Sequence, residues 1–374
     1  MDEKYKVAII AGQLVVGGAE RQLYLWLRHM DRNEFDPLVI TLHPGHHDYW
    51  EEPIEALGIP LIRSPQASNP IKRMMTINQR LRLFKPDLIH GWHLFSSAYA
   101  GLAGLSLSSP SIGGLRSGLN GHENSLEAII VRLFCKGLIA NSENAARLWR
   151  ELAPQRQEVF TVPNAISQDF LPRDEARSYL ANEYRIDPGR FWIGSIGRLD
   201  PLKRFDLLLP VLAKLKAETP PVHLVMIGEG PEFVRLKEQA AKLNIEDRVT
   251  CTGERPEASR LLPAFDLFCF PSLSEGLPNV ILEAAAAALP IVAWDLPFNR
   301  EILDTQSAML LPPEDLDAFA KAISVLIGDP NHRKALGERA RERVLSRFSI
   351  ERFVKGMTQA YLTILGDDCI GPAT

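Results

Sequence analysis

Two carboxylates and two cations carry the chemistry that this sequence offers. Glu275 and Glu283 stand eight residues apart in Pro271-Ser272-Leu273-Ser274-Glu275-Gly276-Leu277-Pro278-Asn279-Val280-Ile281-Leu282-Glu283. On one helix that spacing separates them by about 12 Å along the axis and about 80° around it. A nucleophile-and-acid dyad for glycoside hydrolysis needs about 5–5.5 Å, so the pair does not read as one. Two carboxylates at different depths can instead accept hydroxyls from two parts of one long ligand. Arg198 and Lys203 follow the run Ile193–Gly197. Cations ahead of a helix oppose its dipole, and a guanidinium with an ammonium suits a diphosphate. Neither a Gly-Lys-Ser/Thr phosphate loop nor a GxGxxG fingerprint is present.

The elements that must position these groups are legible. Phe265–Phe270 reads as a buried strand that turns through Ser, Gly and Pro into an Ala-rich helix, Asn279–Ala288, with Pro278 at its first position. Such a strand, turn and helix N-terminus favour an anion beyond the sheet. Strand-like and helix-like runs alternate from Val7 to Val162 and again from Phe191 to Leu311. The expected fold class is α/β, two Rossmann-like doubly wound parallel sheets with ligands beyond the carboxyl ends of the strands, in a cleft between domains. The expected boundaries are 1–167 and 191–348, an irregular polar linker at 168–190 and a last helix in 349–374.

Composition is that of a soluble globular chain: 374 residues, 46% hydrophobic, 24% charged, net charge −4. No basic excess suggests nucleic acid. Cys135, Cys251, Cys269 and Cys369 lack metal-ligand spacing and read as reduced thiols of a cytoplasmic protein. No signal peptide is apparent, and Ala284–Trp294, the longest apolar run, is too short to span a bilayer.

Several features have an ordinary reading beside the functional one. Gly17-Gly18 opens a helix and either lets backbone approach a ligand or makes a tight turn. His90 and His93 end a strand, where a structural role is the commoner one. His43, His46 and His47 read as an exposed loop cluster. Asp315-Leu316-Asp317 matches an Asp-x-Asp metal pattern but follows Pro312-Pro313 at a helix start, so it reads as a cap, with no metal expected. Residues 71–85 mix five cations with apolar side chains; an ordinary surface helix is favoured over contact with an anionic membrane.

Taken together, Gly17-Gly18-Ala19-Glu20, Val162-Pro163-Asn164, Gly197-Arg198-Leu199 with Lys203, and Ser274-Glu275-Gly276 through Glu283-Ala284 resemble the retaining GT-B glycosyltransferases of family four, in order over nearly the whole chain. The resemblance implies a nucleotide-sugar co-substrate, UDP- or GDP-linked, and no other cofactor. Arg198 and Lys203 would hold the diphosphate beside Gly197, and Glu275 would contact the sugar. Backbone amides near Gly276, Leu277 and Pro278 would assist, Glu283 would hold the ribose, and Gly253 and Arg255 would lie in the base-contacting loop. His93 would stand near the donor sugar, and Gly17 and Gly18 near phosphates or acceptor. Transfer would be metal-independent, by front-face attack, in an acceptor domain (1–167) and a donor domain (191–348), with the last helix returning to the first. The acceptor implied is a glycan or lipid-linked glycan of surface polysaccharide or lipopolysaccharide biosynthesis, on the cytoplasmic side of the inner membrane. Ala165, Ala285, Ala288 and Leu296–Asn299 depart from the family pattern. A sugar-nucleotide epimerase, a phosphorylase and a non-catalytic nucleotide-sugar binder are the competing readings.

Overall fold

The computed structural model describes residues 4–43, 45, 48–64, 69–118 and 121–366. The chain divides into two compact units, Met1–Ala165 with Ile350–Thr374, and Ile166–Ser349. Each is a parallel sheet flanked by helices, as the alternation of buried runs and amphipathic stretches demands.

The first unit holds β1 (Tyr5–Ala11), β2 (Phe35–Thr41), β3 (Leu61–Arg63), β4 (Leu88–Gly91), β5 (Ser111–Leu115), β6 (Gly137–Ala140) and β7 (Glu158–Thr161). Their order is β3-β2-β1-β4-β5-β6-β7, so the chain reverses its direction of travel between β1 and β4. That is the topological switch point at which such sheets take ligands. The sequence reading missed β3. Two half-buried residues and an exposed arginine at a sheet edge carry no periodicity.

The last helix, Ile350–Leu365, is built into this unit. Phe353, Met357, Tyr361 and Ile364 lie in one core with Trp26, Phe35 and Trp92. The Trp26 indole N–H donates to the Tyr361 hydroxyl at 3.2 Å, and that hydroxyl lies 2.7 Å from His90 Nδ1. An indole can only donate, so the hydroxyl oxygen accepts from Trp26 and also holds the His90 ring by a hydrogen bond. Burial, followed by the charge of Arg116, holds the His90 pKa well below its ordinary value. His90 is a structural histidine.

The second unit holds β8 (Phe191–Ile196), β9 (Val222–Ile227), β10 (Val249–Cys251), β11 (Leu267–Phe270), β12 (Ile291–Trp294) and β13 (Met309–Leu311), in the order β10-β9-β8-β11-β12-β13. Its switch point lies between β8 and β11. Apolar cores cover both faces, one around Trp192 and Phe268, the other around Trp294 and Phe319.

Residues 168–190, expected to be irregular, contain the helix Arg173–Tyr184. Ala176 and Leu180 are its only buried residues and pack in the second unit's core. Arginines do the remaining anchoring: Arg177 stacks on the Trp192 ring at 4.3 Å and donates to Asp266 at 3.1 Å. Only Ala181 and Tyr184 join Ala176 and Leu180 in part, so the apolar stripe of this helix is weak.

His223, on β9, is buried with Nε2 2.8 Å from Thr250 Oγ1. Burial, then Arg190, lowers its pKa from the ordinary 6.5 to about 4. The unfolded chain therefore takes up this proton first, and stability falls as pH drops below 6.5. At up to 1.36 kcal/mol per unit, a slope reached only once the unfolded imidazole is fully protonated, the loss between pH 6.5 and 5 should be about 1.5 kcal/mol. Urea denaturation of wild type and His223→Gln across this range checks it. Parallel pH profiles for the two proteins would refute the assignment.

Candidate functional site

In the second unit, the loops after β8 and β11 flank the switch point. The first is pressed onto the loop after β9: Gly197 N–H donates to Ile227 O at 3.0 Å and Leu199 N–H to Glu229 O at 2.9 Å. The approach requires glycine. A Cβ at Gly228 (φ +148°) would fall 1.9 Å from Gly197 O, and one at Gly230 (φ +157°) 2.3 Å from Leu199 O. Arg198 stands on this loop with its side chain exposed and, among the described residues, without a side-chain partner. Asp200 then accepts from the N–H groups of Leu202 (3.0 Å) and Lys203 (3.3 Å), which turns the chain and aims Lys203.

Lys203 Nζ lies 2.5 Å from Glu275 Oε1, with the two side chains 25% and 14% exposed. Two residues singled out 72 positions apart thus meet as a half-buried ion pair. Their loops are joined through backbone too, since Leu273 N–H donates to Leu202 O at 3.3 Å. The Trp294 indole fixes the β11 loop by donating to Pro271 O at 2.8 Å. Gly276 and Leu277 follow Glu275 into the helix Asn279–Ala286, and Glu283 lies half-buried on its second turn. Pro278 caps this helix rather than starting it. Its ψ of 106° is extended, and the absent N–H costs nothing there either.

Gly253 and Arg255 follow β10. The Gly253 carbonyl accepts from Gly228 N–H at 2.9 Å, which locks this loop to the glycine turn. Arg255 is engaged elsewhere: Nε donates to the Tyr184 hydroxyl at 2.9 Å, Nη1 to the Tyr179 hydroxyl at 3.3 Å, and Nη2 pairs with Glu183. These contacts, Tyr184 first and then Glu183, raise its pKa. In this structure Arg255 anchors the helix Arg173–Tyr184, a partner hidden by reading that stretch as linker. Asp315 caps the helix Leu316–Gly328 by accepting from Ala318 N–H at 2.9 Å, and Asp317 pairs with Lys214. Among the described residues no three His, Cys, Asp or Glu side chains gather as metal ligands.

In the first unit, Gly17 caps the helix Gly18–His29 in extended geometry, and its carbonyl accepts from Arg21 N–H at 3.0 Å. Trp92, buried at the end of β4, donates its indole N–H to Ala19 O at 2.8 Å. His93 Nε2 lies 3.2 Å from Glu20 Oε1. The glycine pair and His93 are therefore brought together at this unit's switch point. Glu20 was quoted in the sequence but given no role, because its partner lies 73 residues away. Arg116, just past β5, is buried with its guanidinium 4.0 Å from the Trp92 ring, and burial pushes its pKa down to about 10. His46 and His47 lie outside the described residues. His43 is half-buried rather than exposed, packed in a ring stack with Phe95 at 5.6 Å.

The two halves match different family models, "Glycosyltransferase Family 4" over residues 16–170 and "Glycosyl transferases group 1" over residues 178–343. Between them the matches span most of the chain, the first taking in β2–β7 and the second β8–β13. The chain belongs to the group 1 GT-B glycosyltransferases. This glycosyltransferase is 22% identical over 380 aligned residues to the UDP-Gal:alpha-D-GlcNAc-diphosphoundecaprenol alpha-1,3-galactosyltransferase of Escherichia coli, covering 97% of this chain and 98% of that one. It is 32% identical to the lipopolysaccharide core biosynthesis glycosyltransferase LpsE of Rhizobium meliloti, over 46% of this chain and 48% of that one. The fold matches Anabaena Alr3699/HepE, solved with UDP and glucose, at a TM-score of 0.83 and 20% identity, covering 96% and 99% of the two chains.

Proposed function

We propose that the protein is a retaining, metal-independent hexosyltransferase that moves a sugar from a nucleotide diphosphate donor to a glycan or lipid-linked glycan acceptor, in surface polysaccharide or lipopolysaccharide biosynthesis. The observation that carries the donor assignment is the Lys203–Glu275 pair at the switch point of the second unit, with Arg198, whose side chain has no partner among the described residues, on the adjoining loop. A diphosphate brings the negative charge that Arg198 lacks, and it competes with Glu275 for Lys203. Glu275, so released, accepts hydroxyls of the donor sugar. Gly197 and the amides of Gly276 and Leu277 line the same loops, while Glu283, further along the helix, takes the ribose. Gly253 serves through its backbone bond to the glycine turn. The first unit takes the acceptor, with His93 oriented by Glu20 beside Gly17-Gly18.

The transfer balances without an enzyme nucleophile. The bond from the anomeric carbon to the diphosphate oxygen breaks, and its electron pair leaves with the nucleotide. Lys203 and Arg198 stabilise that charge. The acceptor hydroxyl oxygen bonds the anomeric carbon from the same face, and its proton passes to the departing phosphate. The wide spacing of Glu275 and Glu283 in sequence agrees with a route that needs no carboxylate dyad.

Support for the nucleotide comes from the UDP held by the Anabaena protein, and for the acceptor from the lipid-diphosphate substrate named for the Escherichia coli relative. No helix among the described residues is long and apolar enough to cross a membrane. The helix Pro70–Phe84 nevertheless leaves Ile71 70%, Met75 68% and Leu83 75% exposed among Lys72, Arg80 and Arg82, with no acidic residue on it. These side chains suit peripheral contact with the anionic cytoplasmic face of the inner membrane.

One assay tests the reading. UDP- and GDP-sugars are screened by thermal shift, and the binders are then used for transfer to lipid-linked acceptors in anionic or neutral vesicles, with and without chelator. A ligand at 100 times its Kd should stabilise the protein by about 2.7 kcal/mol. Turnover should persist in chelator with retained anomeric configuration and be faster on anionic vesicles. Donor consumption without acceptor would favour the epimerase, and tight donor binding without turnover the non-catalytic binder.

A further inference from the structure

We propose that Phe95 and His43 form a carbohydrate shelf on the first unit, Phe95 packing against the C–H face of an acceptor pyranose and His43 donating Nε2–H to one of its hydroxyls. The inference rests on the reading that this unit holds the acceptor. Phe95 lies two residues past His93, on the first turn of the helix Leu94–Leu107, and is 39% exposed at the ligand edge of the sheet. His43 lies just beyond β2, where its N–H donates to Gly12 O at 3.0 Å, so the two rings flank the end of β1. They stack at 5.6 Å with 27° between their planes, and Tyr99 supports Phe95 edge-on at 5.5 Å.

The shelf is fixed from below by a buried cation. Arg73 Nη1 donates to the Tyr99 hydroxyl at 2.8 Å, and Nη2 lies 3.3 Å from His43 Nδ1. A guanidinium only donates, so His43 accepts at Nδ1 and carries its proton on Nε2. Partial burial, then the charge of Arg73, lowers the His43 pKa and keeps the ring neutral at pH 7. A supported aromatic face beside a ring N–H donor matches the two surfaces of a pyranose, apolar C–H and polar hydroxyl. Because the rings are already ordered, little conformational freedom is lost on binding.

The test uses Phe95→Leu, which keeps an apolar side chain but removes the flat face, and Phe95→Trp, which restores it. Saturation-transfer NMR with methyl α-glucopyranoside and methyl α-galactopyranoside, without donor, should show sugar signals in wild type and Phe95→Trp that vanish in Phe95→Leu. In transfer assays the acceptor KM should rise about tenfold in Phe95→Leu, with donor KM unmoved. Should Phe95→Leu not fold, His43→Ala is expected to raise the same KM. Unchanged acceptor KM, or a rise in donor KM instead, would overturn the shelf while leaving the transferase reading intact. Phe95-dependent sugar binding without transfer from any donor would leave the shelf and remove the transferase reading.

Discussion

Lys203→Ala is expected to lower kcat/KM by about 10³-fold while the protein remains folded. The ammonium is the group best placed to meet charge on a departing diphosphate, and losing one such contact typically costs about 10²–10³ in rate. Its loss also leaves the Glu275 carboxylate, 14% exposed, without the partner 2.5 Å away. Because Lys203 is itself a quarter exposed, the stability change should stay near 1 kcal/mol. Glu275→Ala should give a comparable loss of rate for the opposite reason, since sugar hydroxyls lose their acceptor. Lys203→Arg should recover part of the activity by restoring charge without the point geometry. The measurement is kcat/KM with a saturating acceptor beside a melting curve. Near-wild-type turnover in both folded alanine variants would remove the site assignment.

Gly228→Ala should be the most damaging single methyl group in the second unit. Its Cβ would sit 1.9 Å from Gly197 O, at a φ of +148° that a side chain rarely adopts. Backbone strain and overpacking each cost about 1–3 kcal/mol, so a loss of about 4 kcal/mol is expected. What moves is the loop carrying Arg198, so donor affinity should fall with stability. Gly328→Ala is the control, because a Cβ there meets nothing within 4 Å and closes a helix. Urea denaturation of both variants decides the matter, and equal midpoints would show that the close approach is not a constraint.

Sequence patterning carried the sheets because buried parallel strands are short, continuous and apolar. β8 through β13 could be placed on that signal alone, as could the helix after β11. The signal failed where charge replaces apolar burial. The helix Arg173–Tyr184 is held by Arg173 and Arg177 to Asp266, ninety or so residues on, and no local pattern records that. The same omission hid the surroundings of Arg255, whose partners Tyr179, Glu183 and Tyr184 all lie on that helix. Lys203 was recoverable because a cation ahead of a helix opposes its dipole, and Glu275 because it stands on a strand-to-helix turn eight residues before a second carboxylate. Glu20 was recoverable only with the fold in hand, since its meaning comes from His93. The Gly228-Glu229-Gly230 turn was readable in principle: two glycines directly after a strand mark a close backbone approach.

The placement of Tyr361 imposes a timetable on biosynthesis. A ribosome delivers this residue only after the entire second unit, yet Trp26 and His90, made long before, wait for its hydroxyl. The half of the polypeptide that leaves the exit tunnel earliest is thus the last to close its interior, and nascent chains stalled before Ile350 would expose Trp26 and Phe35 to chaperones.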